Sequence, residues 1–133
     1  MATVTFVDET TSGLRRDAWR LWLPADEERL TLRELIRRRV LQEVAEHNAR
    51  GSEIYRGLVQ PTEAERTLNG FRLGVPGQAI DPERQFLSAV EAFGRNGFLV
   101  LVGDRQVEDL DAELDLRTDT EVCFLKLVPL VGG

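Results

Sequence analysis

Residues 121–133 read EVCFLKLVPLVGG, an apolar run followed by a proline and a pair of glycines. Residues 121–128 have the composition of a buried strand. Pro129 has no N–H to donate to a sheet ladder, so we expect strand pairing to end there. The last five residues, 129–133, would then reach roughly 15 to 18 Å beyond the fold. This ending, a strand that leads into an extended diglycine tail, is the strongest signal in the chain.

The Gly132–Gly133 pair suits one kind of chemistry. An ATP-dependent activating enzyme must draw a carboxylate through a narrow channel, form an acyl-adenylate and pass the acyl group to a thiol or an amine. Glycine has no Cβ to obstruct that approach. The alternative is a short irregular terminus that ends in two glycines by chance.

Composition sets the broad class. A chain of 133 residues is long enough for one domain with one core. Its hydrophobic fraction of 42 % and charged fraction of 30 % are ordinary for a soluble globular protein. No apolar run approaches the ~20 residues of a membrane span, and the start MATVTF lacks the pattern of a signal peptide. We therefore expect a cytoplasmic protein without a membrane partner.

The charge pattern argues against a nucleic-acid partner. The formal net charge is −6, whereas proteins that bind phosphate backbones usually carry a basic footprint. Arg37, Arg38 and Arg39 form the one basic run, and Glu34 and Glu43 lie at helical spacing from it. We interpret this run as a solvated helix face.

Few residues are suited to catalysis or metal binding. Cys123 is the only cysteine, which excludes an internal disulfide, and its place in a predicted strand favours packing. His47 is the only histidine, and its position near a helix C-terminus explains it without catalysis. We predict no catalytic residue and no metal site. Lys126 is the only lysine, so it and the N-terminal amine are the possible acceptors of isopeptide-type bonds within the protein.

The N-terminal third predicts a hairpin followed by a helix. Residues 4–7 and 18–23 alternate in polarity around a turn that contains Ser12 and Gly13. Thr31 and Glu34 have the spacing of a capping box, so a helix should begin there and continue to about Asn48. Its apolar residues form one stripe that can lie across a sheet: Leu35, Ile36, Val40, Leu41, Val44 and Ala45.

Residues 49–80 differ from the preceding segments in composition, because seven glycines and prolines separate short apolar segments. We interpret residues 49–96 as an insertion. It should contain a short helix over residues 62–68 and a longer one over residues 82–95, with Asp81 as the N-cap. The longer helix should bury one face, formed by Phe86, Leu87, Val90 and Phe93.

The C-terminal part predicts further strands. Residues 98–102 read FLVLV, a buried strand, and the turn after it leads to a brief strand around Val107. Leu110, Leu114 and Leu116 should hold a connector under the sheet. In the last strand, an unpaired lysine is rarely buried, which favours an outward Lys126. The alternation then places Cys123, Leu125 and Leu127 inward and Phe124 outward.

This order of elements resembles ubiquitin and the wider β-grasp group. Residues 100–109 look like the third strand of ubiquitin, its turn and its Gln-Leu-Glu-Asp segment, and the spacing from there to Gly133 is similar. The ending VPLVGG is similar to the Pro-Pro-Val-Ala-Gly-Gly ending of the molybdopterin-synthase small subunit, a sulfur carrier on the same fold. Residues 49–95 depart from ubiquitin, which joins its helix to its third strand in a few residues.

The resemblance implies an α+β fold of the ubiquitin-like β-grasp type. A long helix would lie across a mixed sheet, with the inserted helical segment between that helix and the third strand. Residues 1–128 would form a single domain and residues 129–133 an extended tail.

The resemblance also implies a function, that of a bacterial ubiquitin-like modifier. The chain would be the acyl substrate of enzymes rather than an enzyme, and it would bind no cofactor itself. An activating-like enzyme would use MgATP to adenylate Gly133, and a conjugating-like enzyme would join it to an amine of a target protein. A deconjugating protease would cleave that isopeptide bond. Similarity to bacterial operons that encode such enzymes suggests antiphage defence.

The same resemblance assigns the site residues. Gly133 would be the acyl group, and Gly132 would provide clearance in the enzyme channel. Four tail residues would fill that channel: Val128, Pro129, Leu130 and Val131. The apolar recognition patch of ubiquitin would map to Leu14 and Leu101 and to an outward residue of the last strand, for which Phe124 and Leu127 are the candidates. Core packing is the alternative role for these apolar residues.

Two other functions stay open. In a sulfur carrier, the same adenylate would receive sulfide and become a thiocarboxylate, but a carrier has no need of the inserted residues. In an assembly or binding module, the tail would act without covalent chemistry, through strand addition or insertion into a pocket. Residues 49–80 and the helix over 82–95 would then offer a second surface for self-assembly.

Overall fold

The structure is a computed structural model of the 133-residue chain. The residues it describes are 2–51, 54–55, 57–59, 65–67, 70–72, 79–117 and 120–127. The chain divides into two compact units, one formed by Met1–Arg33 with Phe93–Gly133 and the other by Glu34–Ala92.

The described elements give an α+β fold with a mixed sheet and two helices. The strands are β1 (Ala2–Thr10), β2 (Arg15–Leu23), β3 (Arg29–Thr31), β4 (Ile54–Tyr55), β5 (Glu65–Thr67), β6 (Gly70–Arg72), β7 (Phe98–Val102), β8 (Arg105–Val107), β9 (Glu113–Asp115) and β10 (Thr120–Lys126). The helices are α1 (Leu32–Arg50) and α2 (Pro82–Gly94), and a 3-10 turn covers Ala25–Glu27. Within the described ranges, neither helix has the length and apolar character that crossing a bilayer requires.

Five strands of the first unit form the main sheet, in the order β2-β1-β10-β7-β8. The central pair, β1 and β10, is parallel, and the other neighbours are antiparallel. The N-terminal hairpin, the strand over residues 98–102 and the brief strand before Val107 are therefore confirmed. The last strand ends at Lys126, and Val128, with which we expected it to end, lies outside the described residues.

One face of this sheet carries the apolar core, and we call it the core face. Register places Phe6 opposite Val122 and Val100 opposite Phe124. The Phe124 ring lies 5.6 Å from the Phe6 ring and 6.1 Å from the Phe98 ring, centroid to centroid. Six side chains of this face are at most 1 % exposed: Val4, Phe6, Phe98, Val100, Val122 and Phe124.

The predicted orientation of the last strand is wrong. Phe124 is fully buried on the core face, so it is not an outward residue. Cys123 and Leu125 lie on the opposite face, although Cys123 is itself buried, and Leu127 is 37 % exposed. Lys126 shares the core face because it lies at the end of the strand, where its ammonium reaches a carboxylate. The large apolar area of the Phe124 ring therefore determines the register.

A second pairing in this unit was missed by the sequence analysis. β3 and β9 form a two-stranded antiparallel sheet in which Leu30 lies opposite Leu114. Leu114 and Leu116 are buried and Leu110 is half-buried. Carbonyl groups of the predicted connector, which carries Leu110, Leu114 and Leu116, accept hydrogen bonds from the first residues of α1. The Leu32 N–H donates to the Ala112 carbonyl at 3.0 Å, and the Arg33 N–H donates to the Leu110 carbonyl at 2.9 Å. These N–H groups have no partner within a helix, so the connector fixes where α1 begins.

Helix α1 is confirmed in the second unit, with two corrections to its faces. Four residues of the predicted stripe are at most 1 % exposed: Leu35, Ile36, Val40 and Val44. Ala45 is exposed, so the stripe is narrower than predicted. Arg39 is fully buried rather than solvated. Its Nε lies 3.3 Å from Oε1 of Glu43, and the same oxygen accepts a hydrogen bond from the Leu58 N–H at 3.3 Å. The basic run therefore contributes a buried ion pair.

The middle of the chain contains strands where a short helix was predicted. β4, β6 and β5 form an antiparallel sheet, and β5 includes three of the residues expected to be helical. The rest of the predicted helix, residues 62–64 and 68, lies outside the described residues. A seven-residue helix makes few internal hydrogen bonds, whereas pairing with β6 satisfies the backbone of β5.

Helix α2 begins and ends close to the predicted positions. The Asp81 Oδ1 accepts hydrogen bonds from the Glu83 N–H at 3.0 Å and the Arg84 N–H at 3.3 Å, so the predicted N-cap is confirmed. The buried residues of α2 are Gln85, Phe86 and Ala89, whereas Leu87 is 58 % exposed and does not belong to the buried face. The Gln85 amide donates to the Val59 carbonyl at 2.7 Å, which links α2 to the segment before it.

The register of β10 predicts the effect of two substitutions on stability. Phe124→Ala removes a fully buried ring and should lower the free energy of unfolding by about 3–5 kcal/mol. Leu127→Ala, the matched control, removes an exposed side chain and should cost less than about 1 kcal/mol. Urea unfolding of both variants measures this difference. Equal losses, or a larger loss for Leu127→Ala, would contradict the register.

Candidate functional site

The candidate site lies where the last strand leaves the main sheet. Lys126, the last residue of β10, is opposite Thr10 of β1 and Phe98 of β7. Its carbonyl accepts a hydrogen bond from the Thr11 N–H at 3.2 Å, and the Leu127 N–H donates to the Gly97 carbonyl at 3.4 Å. We call Lys126, Leu127 and these backbone partners the tail base. Both neighbouring segments therefore hold the chain at its exit from the sheet.

The predicted tail residues lie outside the described residues. They are Val128, Pro129, Leu130, Val131, Gly132 and Gly133. The geometry available for the conjugation site is therefore that of the tail base and of the surfaces next to it.

The hairpin turn beside the tail base is closely hydrogen-bonded. The Thr10 N–H donates to the Leu14 carbonyl at 2.9 Å, and the Gly13 N–H donates to the Thr10 carbonyl at 3.0 Å. Gly13 has a φ of +93°, which strongly favours glycine. The Thr10 and Ser12 hydroxyl oxygens are 2.7 Å apart and form a further hydrogen bond. The turn presents Leu14, 70 % exposed, at the edge of the sheet where the tail begins.

The face opposite the core face, which we call the outer face, carries an apolar group. Register places Leu101 opposite Cys123 and Leu99 opposite Leu125. Val7 lies opposite Cys123 on its other side. The three leucines are half-buried, whereas Val7 and Cys123 are buried. A continuous apolar strip therefore crosses the three central strands.

The structure brings some of the residues of the predicted recognition patch to the surface or to the outer face. Leu14 and Leu127 are exposed near the tail base, and Leu101 lies on the outer face. Phe124 does not belong to a surface patch, because it is fully buried on the core face. Leu99 and Leu125 were not among the predicted patch residues. Counting back from the diglycine with the spacing of ubiquitin selects Leu127 as the outward residue of the last strand, and this signal indicates the correct face.

Three charged residues border the apolar strip. Arg15 of β2 donates to Glu9 of β1 at 3.0 Å and also forms an ion pair with Glu121 of β10. Hydrogen bonds from Cys123 and then from Arg15 lower the pKa of the Glu9 carboxyl, and the pKa of the Arg15 guanidinium is raised, mainly by Glu9. Exposed ion pairs contribute little to stability. Their effect here is to give the apolar strip a charged edge.

Cys123 is a neutral donor in this arrangement. Its Sγ lies 3.2 Å from Oε2 of Glu9. Burial, and then the Glu9 carboxylate, raise the pKa of the thiol from 9.0 to about 12. Because the thiolate is the nucleophilic form, Cys123 is unreactive near neutral pH.

The remaining candidate residues are engaged in packing or pairing. His47 is buried in α1, at 6 % exposure. The Lys126 ammonium lies 3.9 Å from Oδ2 of Asp8, and its side chain is 23 % exposed, which limits its use as an acceptor. Among the described residues, no group of three or more His, Cys, Asp or Glu side chains could hold a metal ion.

A hollow of about 280 Å³ opens beside the tail base. It is lined by Asn96 and Phe98, on either side of Gly97, and by Leu99 of the outer face. Gln106 and Glu108, at and just after β8, form its polar side. The hollow therefore opens at the start of β7, where residues of both faces of the sheet line it.

The pKa of Cys123 predicts its alkylation rate. At pH 8 the folded protein should react with iodoacetamide at least about a hundredfold more slowly than the protein unfolded in urea, since the raised pKa suppresses the thiolate. Between pH 8 and 10 the rate in the folded protein should rise about tenfold per pH unit, because the pH stays below the thiol pKa. Glu9→Gln should lower this pKa and speed the reaction. Mass spectrometry over time measures the rates, and equal rates in folded and unfolded protein would contradict this account.

Comparison with known proteins gives no assignment. No protein-family model, no curated protein and no solved structure matches the chain.

Proposed function

We propose that the chain is a ubiquitin-like modifier with a β-grasp fold. The carboxylate of Gly133 is its acyl group, activated by one enzyme and joined to an amine of a target protein by another. One observation carries the proposal: the last strand, β10, lies in the centre of the mixed sheet beside β1 and leads directly into the diglycine segment.

The order of elements supports the β-grasp assignment. Hairpin, long helix, strand, short strand and final strand are the elements on which the resemblance to ubiquitin rests. They correspond to β1 with β2, α1, β7, β8 and β10. Of the remaining elements, β4 to β6 and α2 fall within residues 49–96, the segment interpreted as an insertion, whereas β3 and β9 lie outside it.

The position of β10 suits a tail that must reach into an enzyme. β10 pairs with β1 on one side and with β7 on the other, so its end is fixed by the whole sheet. Residues 128–133 then start from the tail base. In the activating enzyme, the Gly133 carboxylate attacks the α-phosphate of MgATP and displaces pyrophosphate. An enzyme thiolate displaces AMP to form a thioester, and a target amine displaces that thiolate to form the amide.

The outer face offers a surface to the partner enzymes. Leu14 lies beside the tail base, which itself exposes Leu127. Leu99, Leu101 and Leu125 are the half-buried leucines of the apolar strip nearby. An apolar centre with a charged edge is typical of protein interfaces. We propose that the activating-like and conjugating-like enzymes contact this surface while they hold the tail. Action in the bacterial cytoplasm, in antiphage defence and with a deconjugating protease, stays a prediction from resemblance.

Deletion of Gly133 tests the proposed function. N-terminally tagged protein from its native host should form higher-mass covalent adducts that resist denaturing electrophoresis, and the Gly133-deleted protein should form none. Leu87→Ala, an exposed change in α2, is the control and should keep the adducts.

Intact-mass analysis of the same samples separates the other functions. An unconjugated protein heavier by one exchange of oxygen for sulfur would indicate a sulfur carrier. An unmodified mass in every sample would contradict both covalent functions and leave the assembly module.

A second test addresses the proposed partner surface. Leu14→Glu puts a charge beside the tail base and should reduce the amount of adduct about tenfold, the effect expected from losing one interface anchor. The melting temperature should not change, because Leu14 is 70 % exposed. Leu87→Glu is the matched control on α2 and should leave adduct formation unchanged. An equal loss in both variants, or none in either, would contradict this assignment.

A further inference from the structure

We propose that Asp8 and Lys126 are a positioning pair that fixes the point from which the tail leaves the sheet. This inference rests on the proposed function, because a fixed tail base matters when a diglycine must reach a distant nucleotide. It also gives the only lysine of the chain a role other than that of acceptor.

The pair joins the two central strands. Asp8 of β1 lies opposite Phe124 of β10, and Lys126 is two residues further along, so both side chains project from the core face as diagonal neighbours. The Lys126 Nζ is 3.9 Å from the Asp8 Oδ2. The Asp8 side chain is 9 % exposed and that of Lys126 is 23 % exposed. Because a charge with little access to water is costly unless it is paired, these two opposite charges are more stable when they face each other.

The backbone of Lys126 is held in addition to its side chain. Its carbonyl accepts the Thr11 N–H, and the next N–H, that of Leu127, donates to the Gly97 carbonyl. Phe124, two residues earlier, is fixed in the core. The strand therefore ends with attachments to β1, to the hairpin turn and to the turn before β7.

A lysine suits this position for physical reasons. Its alkyl chain can follow the apolar end of the core face while its charged end reaches the carboxylate, and the side chain of an arginine can do the same. An ammonium held by a nearly buried carboxylate is a poor nucleophile, because attack on a thioester needs the neutral, accessible amine.

A fixed base controls where the diglycine can be placed. The six residues 128–133 span at most about 20 Å when extended, so a small change of direction at Leu127 moves the Gly133 carboxylate by several ångström. A displacement of about 1 Å at a reacting group can lower a rate a hundredfold. Loosening the tail base should therefore reduce activation of the tail without changing the diglycine itself.

Three variants of the full-length protein test the positioning pair. Asp8→Asn and Lys126→Met remove one charge each with little change in volume, whereas Lys126→Arg keeps the charge but cannot form an isopeptide bond. Hydrogen exchange measured by NMR should show the Leu127 and Thr11 amides exchanging at least tenfold faster in the first two variants and unchanged in Lys126→Arg. The Phe6 amide, in the middle of β1, is the internal reference, and its unchanged exchange would show that the sheet remains folded. Unchanged exchange of the Leu127 and Thr11 amides in Asp8→Asn and Lys126→Met would overturn the inference that Asp8 and Lys126 form a positioning pair.

Adduct formation gives the functional readout. We expect Asp8→Asn and Lys126→Met to form about tenfold less adduct than the wild type, and Lys126→Arg to give the same amount and the same pattern of bands. Loss of the higher bands in Lys126→Arg would show that Lys126 is an acceptor and would overturn the inference. Absence of adducts in the wild type would contradict the proposed function, and the exchange measurement would still decide whether the positioning pair exists.

Discussion

The parallel pairing of β1 with β10 is the constraint on which the rest of this structure depends. The two strands come from opposite ends of the chain, yet they occupy the centre of the main sheet. Bringing them together costs loop-closure entropy, which the buried core-face side chains must offset. Once paired, β1 positions the hairpin turn and β10 positions the tail base. The apolar strip and its charged edge on the outer face follow from the same register.

Hydrophobic periodicity and helix-end signals predicted most of the helices and strands. They did not always predict which face of an element is buried. The Asp81 cap located the start of α2, because a local side chain satisfies its first N–H groups. The Thr31 pattern also located the start of α1, where the first N–H groups donate to carbonyls of Leu110 and Ala112. The last strand was assigned to the wrong face because it has apolar residues on both faces, so period-two alternation cannot choose between them. Burial of the Phe124 ring selects the observed face, and the pairing of Lys126 with Asp8 allows the lysine to share it.

The sequence carries no local signal for structural features that depend on residues distant in the chain. β3 and β9 are three residues each and pair across a long stretch of sequence. Arg39 is buried where its guanidinium and the Leu58 N–H both donate to the Glu43 carboxylate. For the candidate site, Leu14 and Leu101 were placed in the predicted patch, and the structure has them at the surface and on the outer face. Leu127, which the alternation placed inward although it was also a candidate for the patch, is exposed. The predicted patch did not include Leu99 and Leu125, because their grouping depends on the strand order.

The central claim is that the Gly133 carbonyl becomes bonded to a target amine, and tandem mass spectrometry tests it most directly. Trypsin cuts after Lys126, the last basic residue, so a conjugated target lysine should keep the remnant LVPLVGG, residues 127–133. We predict branched peptides from tagged, purified adducts that carry this remnant on a lysine ε-amine through Gly133. Recovery of LVPLVGG only as a free peptide with an intact carboxylate, from samples that contain the full-length protein, would contradict the account.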